Sequence, residues 1–182
     1  MNKLAIALSA ALSLGAVASA SAQDATINFV GNITAASCAI AIGGEASSST
    51  VTLPTLSKAA LATPDAGIRK FTVTLGDGSA TGCSGNEAEL VLDKSDVDST
   101  SGRLTNQFVS AGGITAAEGI DIAIRDGDGK VINLASDRIT APKTSNNFVF
   151  NFQALYHVTE VDPDDIVAGR FTAALPFIVE HY

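Results

Sequence analysis

The chain has 182 residues, a net charge of −8, no tryptophan and two cysteines. An acidic chain has no electrostatic footprint for nucleic acid and little attraction to anionic lipid. Its acidity favours solubility or a basic partner. Small residues with Thr, Val and Ile dominate, and charged residues are sparse, a bias toward strands over helices.

The first residues read as an export signal. Lys3 supplies a positive n-region, Leu4 to Val17 is an apolar run, and Ala20-Ser21-Ala22 is a small-x-small cleavage pattern. The run is too short to span a bilayer. A cut after Ala22, with Ala20 as the near alternative, makes residues 1–22 a signal peptide and Gln23 the mature start. Losing Lys3 makes the chain one unit more negative. The remainder suits one domain with a sizeable core, and no other long apolar run predicts direct membrane insertion.

Ile27-Asn-Phe29-Val-Gly31-Asn-Ile33 opens the mature chain with period-2 alternation, the pattern of a strand with one buried face. Cys38-Ala-Ile40-Ala-Ile42 is a second strand candidate, broken by Gly43-Gly44 and Ser47 to Ser49. Val51-Thr-Leu53-Pro54-Thr-Leu56 is a short strand whose proline suits an edge. Thr63-Pro64-Asp65-Ala-Gly67 reads as a loop. Phe71-Thr-Val73-Thr-Leu75 alternates cleanly and leads through a Gly-rich loop to Cys83; Ala88 to Leu92 is the next strand. Asp93 to Gln107 is polar and turn-rich. Gly119 to Ile124 and Lys130 to Leu134 flank Asp126-Gly127-Asp128-Gly129, a hairpin pattern. Phe148 to Tyr156 is the longest alternating run, and Glu160 to Gly169 is an acidic loop. From Gly169 the chain ends on Phe171, Ala173, Leu175, Phe177 and Val179, all on one face of a strand that continues to Tyr182. Nothing after this strand is left to cover it, although a sandwich normally closes with another strand beside such a segment. No helical period is sustained, and short strands at this spacing argue an all-β sandwich.

In an exported chain, Cys38 and Cys83 read as one disulfide on adjacent strands, with Cα atoms roughly 4.4–6.8 Å apart. Closing their loop is worth about 4 kcal/mol in the chain-entropy model. Two free thiols or a metal pair are the alternatives. No residue set supports catalysis. His157 and His181 lack a nucleophile-elbow sequence. The Asp126 loop departs from a calcium loop, with Lys130 at its fifth position and Val131 at its sixth. Glu160, Asp162, Asp164 and Asp165 around Pro163 read as a solvated charge cluster.

Together these stretches resemble the pilin subunits of chaperone–usher fimbriae of the type 1 kind, over the whole mature chain. Phe29-Val-Gly31 with Cys38 seven residues on matches the family's F-x-G and first cysteine; Leu53-Pro-Thr-Leu56 matches the segment after it. Phe71-Thr-Val73-Thr-Leu75 before Cys83 is similar to the approach to the second cysteine. Gly119-Ile-Asp-Ile, Asp128-Gly129-Lys-Val and Phe152-Gln-Ala154-Leu-Tyr156 resemble later family motifs, and Gly169 to Tyr182 resembles the C-terminal one. The family's penultimate tyrosine slot holds His181 here, with Tyr182 beside it.

The resemblance implies an all-β fold, an incomplete immunoglobulin-like sandwich lacking its last strand and completed by a donor strand from a neighbouring subunit or chaperone. Residues 23–32 would be the donor extension and 33–182 the pilin domain. Ile27, Phe29, Gly31 and Ile33 would be the donor residues, Gly31 sitting where the groove admits no side chain. Phe171, Ala173, Leu175, Phe177, Val179 and Tyr182 would form the groove and C-terminal strand. The implied function is that of a structural subunit of a surface fimbria serving cell adhesion, with no cofactor and no enzymatic activity. Its partners would be neighbouring pilins in a homopolymer, a periplasmic chaperone and an outer-membrane usher, and it would pass through the periplasm to the cell surface. The competing expectation is a secreted monomeric β-sandwich that binds a carbohydrate.

Overall fold

Alternation decides where the strands form. The computed structural model describes residues 25–28, 38–43, 50–77, 83–160 and 162–182. The expected signal peptide and the expected donor residues Phe29, Gly31 and Ile33 lie outside them. The elements are β1 (Ala25–Asn28), β2 (Ile40–Ile42), β3 (Thr50–Leu53), a one-turn α1 (Lys58–Leu61), β4 (Arg69–Leu75) and β5 (Glu87–Leu92). They continue with β6 (Ile120–Asp126), β7 (Val131–Ile132), β8 (Ile139–Thr144), β9 (Asn147–Val158), β10 (Thr172–Ala174) and β11 (Phe177–His181).

The large sheet runs β11-β5-β8-β9-β4-β2, with β6 also on β9 and β7 on β6; the small sheet runs β10-β1-β3. Its spine is the antiparallel β4–β9 ladder, which sets Phe71 opposite Phe152, Val73 opposite Phe150 and Leu75 opposite Phe148. All six are buried, and the Phe71 and Phe152 rings pack 5.3 Å apart. Each such side chain contributes roughly 1.5–3 kcal/mol on burial. Leu90, Ile122, Ile124, Leu53 and Phe171 complete one continuous core.

Cys38 and Cys83 form the expected disulfide, with Cα atoms 5.1 Å apart across 45 residues. The cysteines stand in the connections before β2 and before β5 rather than within adjacent strands, and both are buried.

Two elements escape the alternation argument. Helix α1 is too short to show a period; the Ser57 side chain caps it by accepting from the Ala60 N–H. Strand β8 contains Pro142. The strand tolerates it because Lys143, not Pro142, donates to the β5 side, at Asn86 O, 2.9 Å. A two-residue turn, Ser145-Asn146, joins β8 to β9; both residues have positive φ, 50° and 68°, as a type I′ hairpin requires.

Candidate functional site

The small sheet has one strand between two walls. β3 is short because Pro54 ends it, and its alternation buries Val51 and Leu53 while exposing Thr50 and Thr52. β10 buries Ala173, with Phe171 and Leu175 buried on either side. Between them β1 pairs parallel to β10, Ile27 opposite Ala173, and antiparallel to β3, Ile27 opposite Val51. The stretch expected to serve a neighbouring molecule thus lies, over Ala25–Asn28, in its own chain's sheet. Without it, β3 and β10 would face each other across a strand-wide gap, their inner backbone groups unpaired over a floor of core side chains.

The far edges of the two walls are held by side chains. Asn106 uses its whole amide: Nδ2 donates to Ala117 O at 2.8 Å and Arg170 O at 2.9 Å, and Oδ1 accepts from Phe108 N at 3.0 Å and Thr172 N at 2.9 Å. Gln107 N donates to Thr172 O at 2.7 Å, and the Asp96 carboxylate accepts from Ala174 N at 2.8 Å. On β3, Arg69 Nε donates to Thr52 O at 2.9 Å. None of these three side chains was marked by the sequence. Asp96 and Asn106 sit in the polar stretch before Phe108, which has no periodicity, and only three-dimensional pairing shows their use.

The C-terminal residues behave as their alternation demands. Phe171, Ala173, Leu175 and Phe177 are buried, Val179 is half-buried and Tyr182 is 56 % exposed. The run does not stay in one sheet. After β10 it passes Leu175-Pro176 and joins the large sheet as β11, opposite β5 with Val179 across from Leu90. Gly169 leads into it with no room for a side chain: an added Cβ would collide with the backbone of Thr115 and Ala116. At the end, Tyr182 N donates to Glu87 O at 2.9 Å, and an added Cβ on Gly85, whose φ is +83°, would strike the Tyr182 backbone.

The Tyr182 hydroxyl donates to Glu89 Oε2 at 2.8 Å, and Arg138 engages both oxygens of that carboxylate, Nε at 3.0 Å. The Arg138 bond, helped by Tyr182, holds the Glu89 carboxyl at about 2. A carboxyl depressed in the folded state adds stability above its unfolded value, near 4.5, and loses it as pH falls toward about 2. NMR titration of Glu89 is therefore expected to give a midpoint near about 2, returning toward 4.5 in Arg138→Ala; a midpoint above 4 in the unaltered protein would refute the network.

The other acid and histidine candidates are occupied structurally. Asp126 Oδ1 accepts from Asp128 N and Lys130 N, closing its turn. Asp162 Oδ1 accepts from Asp164 N. His157 stands across the ladder from Asp121, which pairs with Arg103 at 3.4 Å; burial, then the nearby guanidinium, pushes its pKa down. His181 Nδ1 lies 3.1 Å from Ser84 Oγ at an exposed position. Among the described residues no three potential metal ligands cluster. A cleft of about 650 Å³ opens beside the β6–β7 hairpin; the two aromatic residues lining it, Phe150 and Phe152, are buried.

The family model described as fimbrial protein matches residues 27–181. Among solved structures, the P pilus rod subunit PapA matches with a TM-score of 0.54 at 17% identity, covering 81% of this chain and 100% of that one. A Burkholderia pseudomallei antigen and type I fimbria protein matches at 24% identity and a TM-score of 0.44, covering 81% of this chain and 90% of that one. The CupB6 tip adhesin from Pseudomonas aeruginosa matches at 15% identity and a TM-score of 0.40, covering 61% of this chain; the match takes in 33% of the adhesin's own length. No curated protein sequence matches. The PapA likeness supports the expected all-β, immunoglobulin-like architecture. With the family model spanning the chain from β1 to the end of β11, this protein belongs to the fimbrial protein family.

Proposed function

We propose that the chain is a structural subunit of a chaperone–usher surface fimbria and polymerises by donor-strand exchange. The observation that carries this reading is the position of β1, the one strand between β3 and β10, supplied by the segment that precedes Cys38. A strand from a neighbouring copy takes that place in the fibre. Backbone ladders hold it and alternate side chains fill the groove. Ile27, Phe29 and Ile33 are the inserted residues, and Gly31 passes where the floor is high. Residues 1–22 are removed on export, 23–32 are the exchanged extension and 33–182 the receiving domain.

An uncovered groove is an association hazard, so a periplasmic chaperone fills it first and an outer-membrane usher directs the exchange. Repeated head-to-tail contacts that do not close make a filament, which ends at the cell surface and serves adhesion. The terminal run of Phe171, Ala173, Leu175, Phe177, Val179 and Tyr182 is the side of the groove the chaperone captures.

Phe29→Arg and Gly31→Leu test this reading. The first forfeits roughly 1.5–3 kcal/mol of apolar burial and adds the desolvation of a charge; the second drives a side chain into the floor. Both subunits are expected to be disulfide-bonded and recovered with the chaperone, yet to give no fibres by negative-stain microscopy. Fibres at the wild-type rate from both variants would reject exchange through this segment.

A further inference from the structure

We propose that Asn106 and Asp96 are edge-selecting residues: they hold the outer edge of β10 so that a strand can add only on the groove side. The proposal rests on the strand-exchange reading and names the residues that direct it.

An edge strand offers backbone groups on alternate residues, and an uncovered row of them is a template for any passing strand. β10 faces this hazard twice. Its Ala173 is opposite β1, and the residues on either side, Thr172 and Ala174, turn their backbone groups the other way. In a larger sheet another strand would take those groups. Here the Thr172 N–H goes to Asn106 Oδ1 at 2.9 Å, the Thr172 carbonyl to Gln107 N at 2.7 Å, and the Ala174 N–H to the Asp96 carboxylate at 2.8 Å. The segment from Asp96 to Gln107 thus mimics a neighbouring strand largely with side chains.

Asn106 suits the task because all its hydrogen-bonding capacity is used, two donors and two acceptances. The bonds to Ala117 O and Arg170 O tie it to the chain on both sides, so β10 keeps its extended form whether or not the groove is filled. Arg69 makes the corresponding contact on the far edge of β3, at Thr52 O. With both far edges engaged, the inner edges become the preferred place for an incoming strand, and the assembly stays linear instead of branching.

The experiment uses the chain from Gln23 onward and a fluorescent synthetic peptide spanning Gln23 to Ser37, which competes with the resident β1. Uptake is followed by fluorescence, stoichiometry by native mass spectrometry and folding by the thermal midpoint. The unaltered chain is expected to take one peptide per subunit. Asp96→Ala and Asn106→Ala are expected to slow uptake at least tenfold and to yield species with more than one peptide or more than one subunit. Asp96→Asn keeps an acceptor oxygen for Ala174 N and is expected to restore one-to-one uptake. Should Asn106→Ala fail to fold, the Asp96 pair decides alone. One-to-one uptake at the wild-type rate in Asp96→Ala would overturn the edge-selecting role while leaving strand exchange standing. Failure of the unaltered chain to take any peptide would overturn the groove reading, and this role with it.

Discussion

Removing residues 23–33 is expected to lower the thermal midpoint of the isolated subunit by about 10 °C or more. Ala25–Asn28 supply the middle strand of the small sheet, and uncovering two core side chains of the neighbouring β3, the buried Val51 and Leu53, would cost about 3–6 kcal/mol. For a domain of this size each kcal/mol moves the midpoint by about 2–4 °C. A synthetic peptide of Gln23 to Ser37 added in trans is expected to recover most of the loss. Ala25–Asn28 lie within the chain's own small sheet, so besides the exchange proposed above the strand closes that sheet in the isolated molecule. Truncation without thermal consequence would show that the small sheet does not depend on β1.

Deleting Phe177 to Tyr182 is expected to abolish recovery of a stable chaperone complex. The deletion removes β11, whose five residues pair with β5 from Leu92 to Ala88. It uncovers the side of the core under Phe177, which is 3 % exposed. It also strips Glu89 of its Tyr182 partner and the loop at Gly85 of the backbone that lies against it. Losing Phe177 alone costs roughly 1.5–3 kcal/mol, and an unpaired β5 edge adds an aggregation route. Co-purification from the periplasm at normal yield would contradict this account.

The core strands were legible because each buries one face. Phe71-x-Val73-x-Leu75 and the alternation from Phe148 to Tyr156 had to become facing ladders for their rings to leave water. The terminal run was legible for the same reason, down to the buried Phe171, Ala173, Leu175 and Phe177. Its change of sheet at Leu175-Pro176 was not, since side-chain alternation continues across it and only the hydrogen-bond partner changes. Strand β8 was hidden by Pro142, and α1 by its single turn. The Asp96 and Asn106 contacts were invisible because side chains bonding to distant backbone leave no period in the sequence.

The walls of the groove run in opposite senses: β1 is antiparallel to β3 and parallel to β10. Any strand lying between them, whichever way it points, must make one parallel and one antiparallel ladder. Reversing it merely exchanges the two, so the backbone is nearly indifferent to direction. Polarity must then be written in side chains. Ile27, Phe29, Gly31 and Ile33 read large, large, absent, large in one direction and large, absent, large, large in the other. If the segment is exchanged as proposed, its single off-centre glycine would decide which way it points between the walls, and with that the angle at which successive subunits are set.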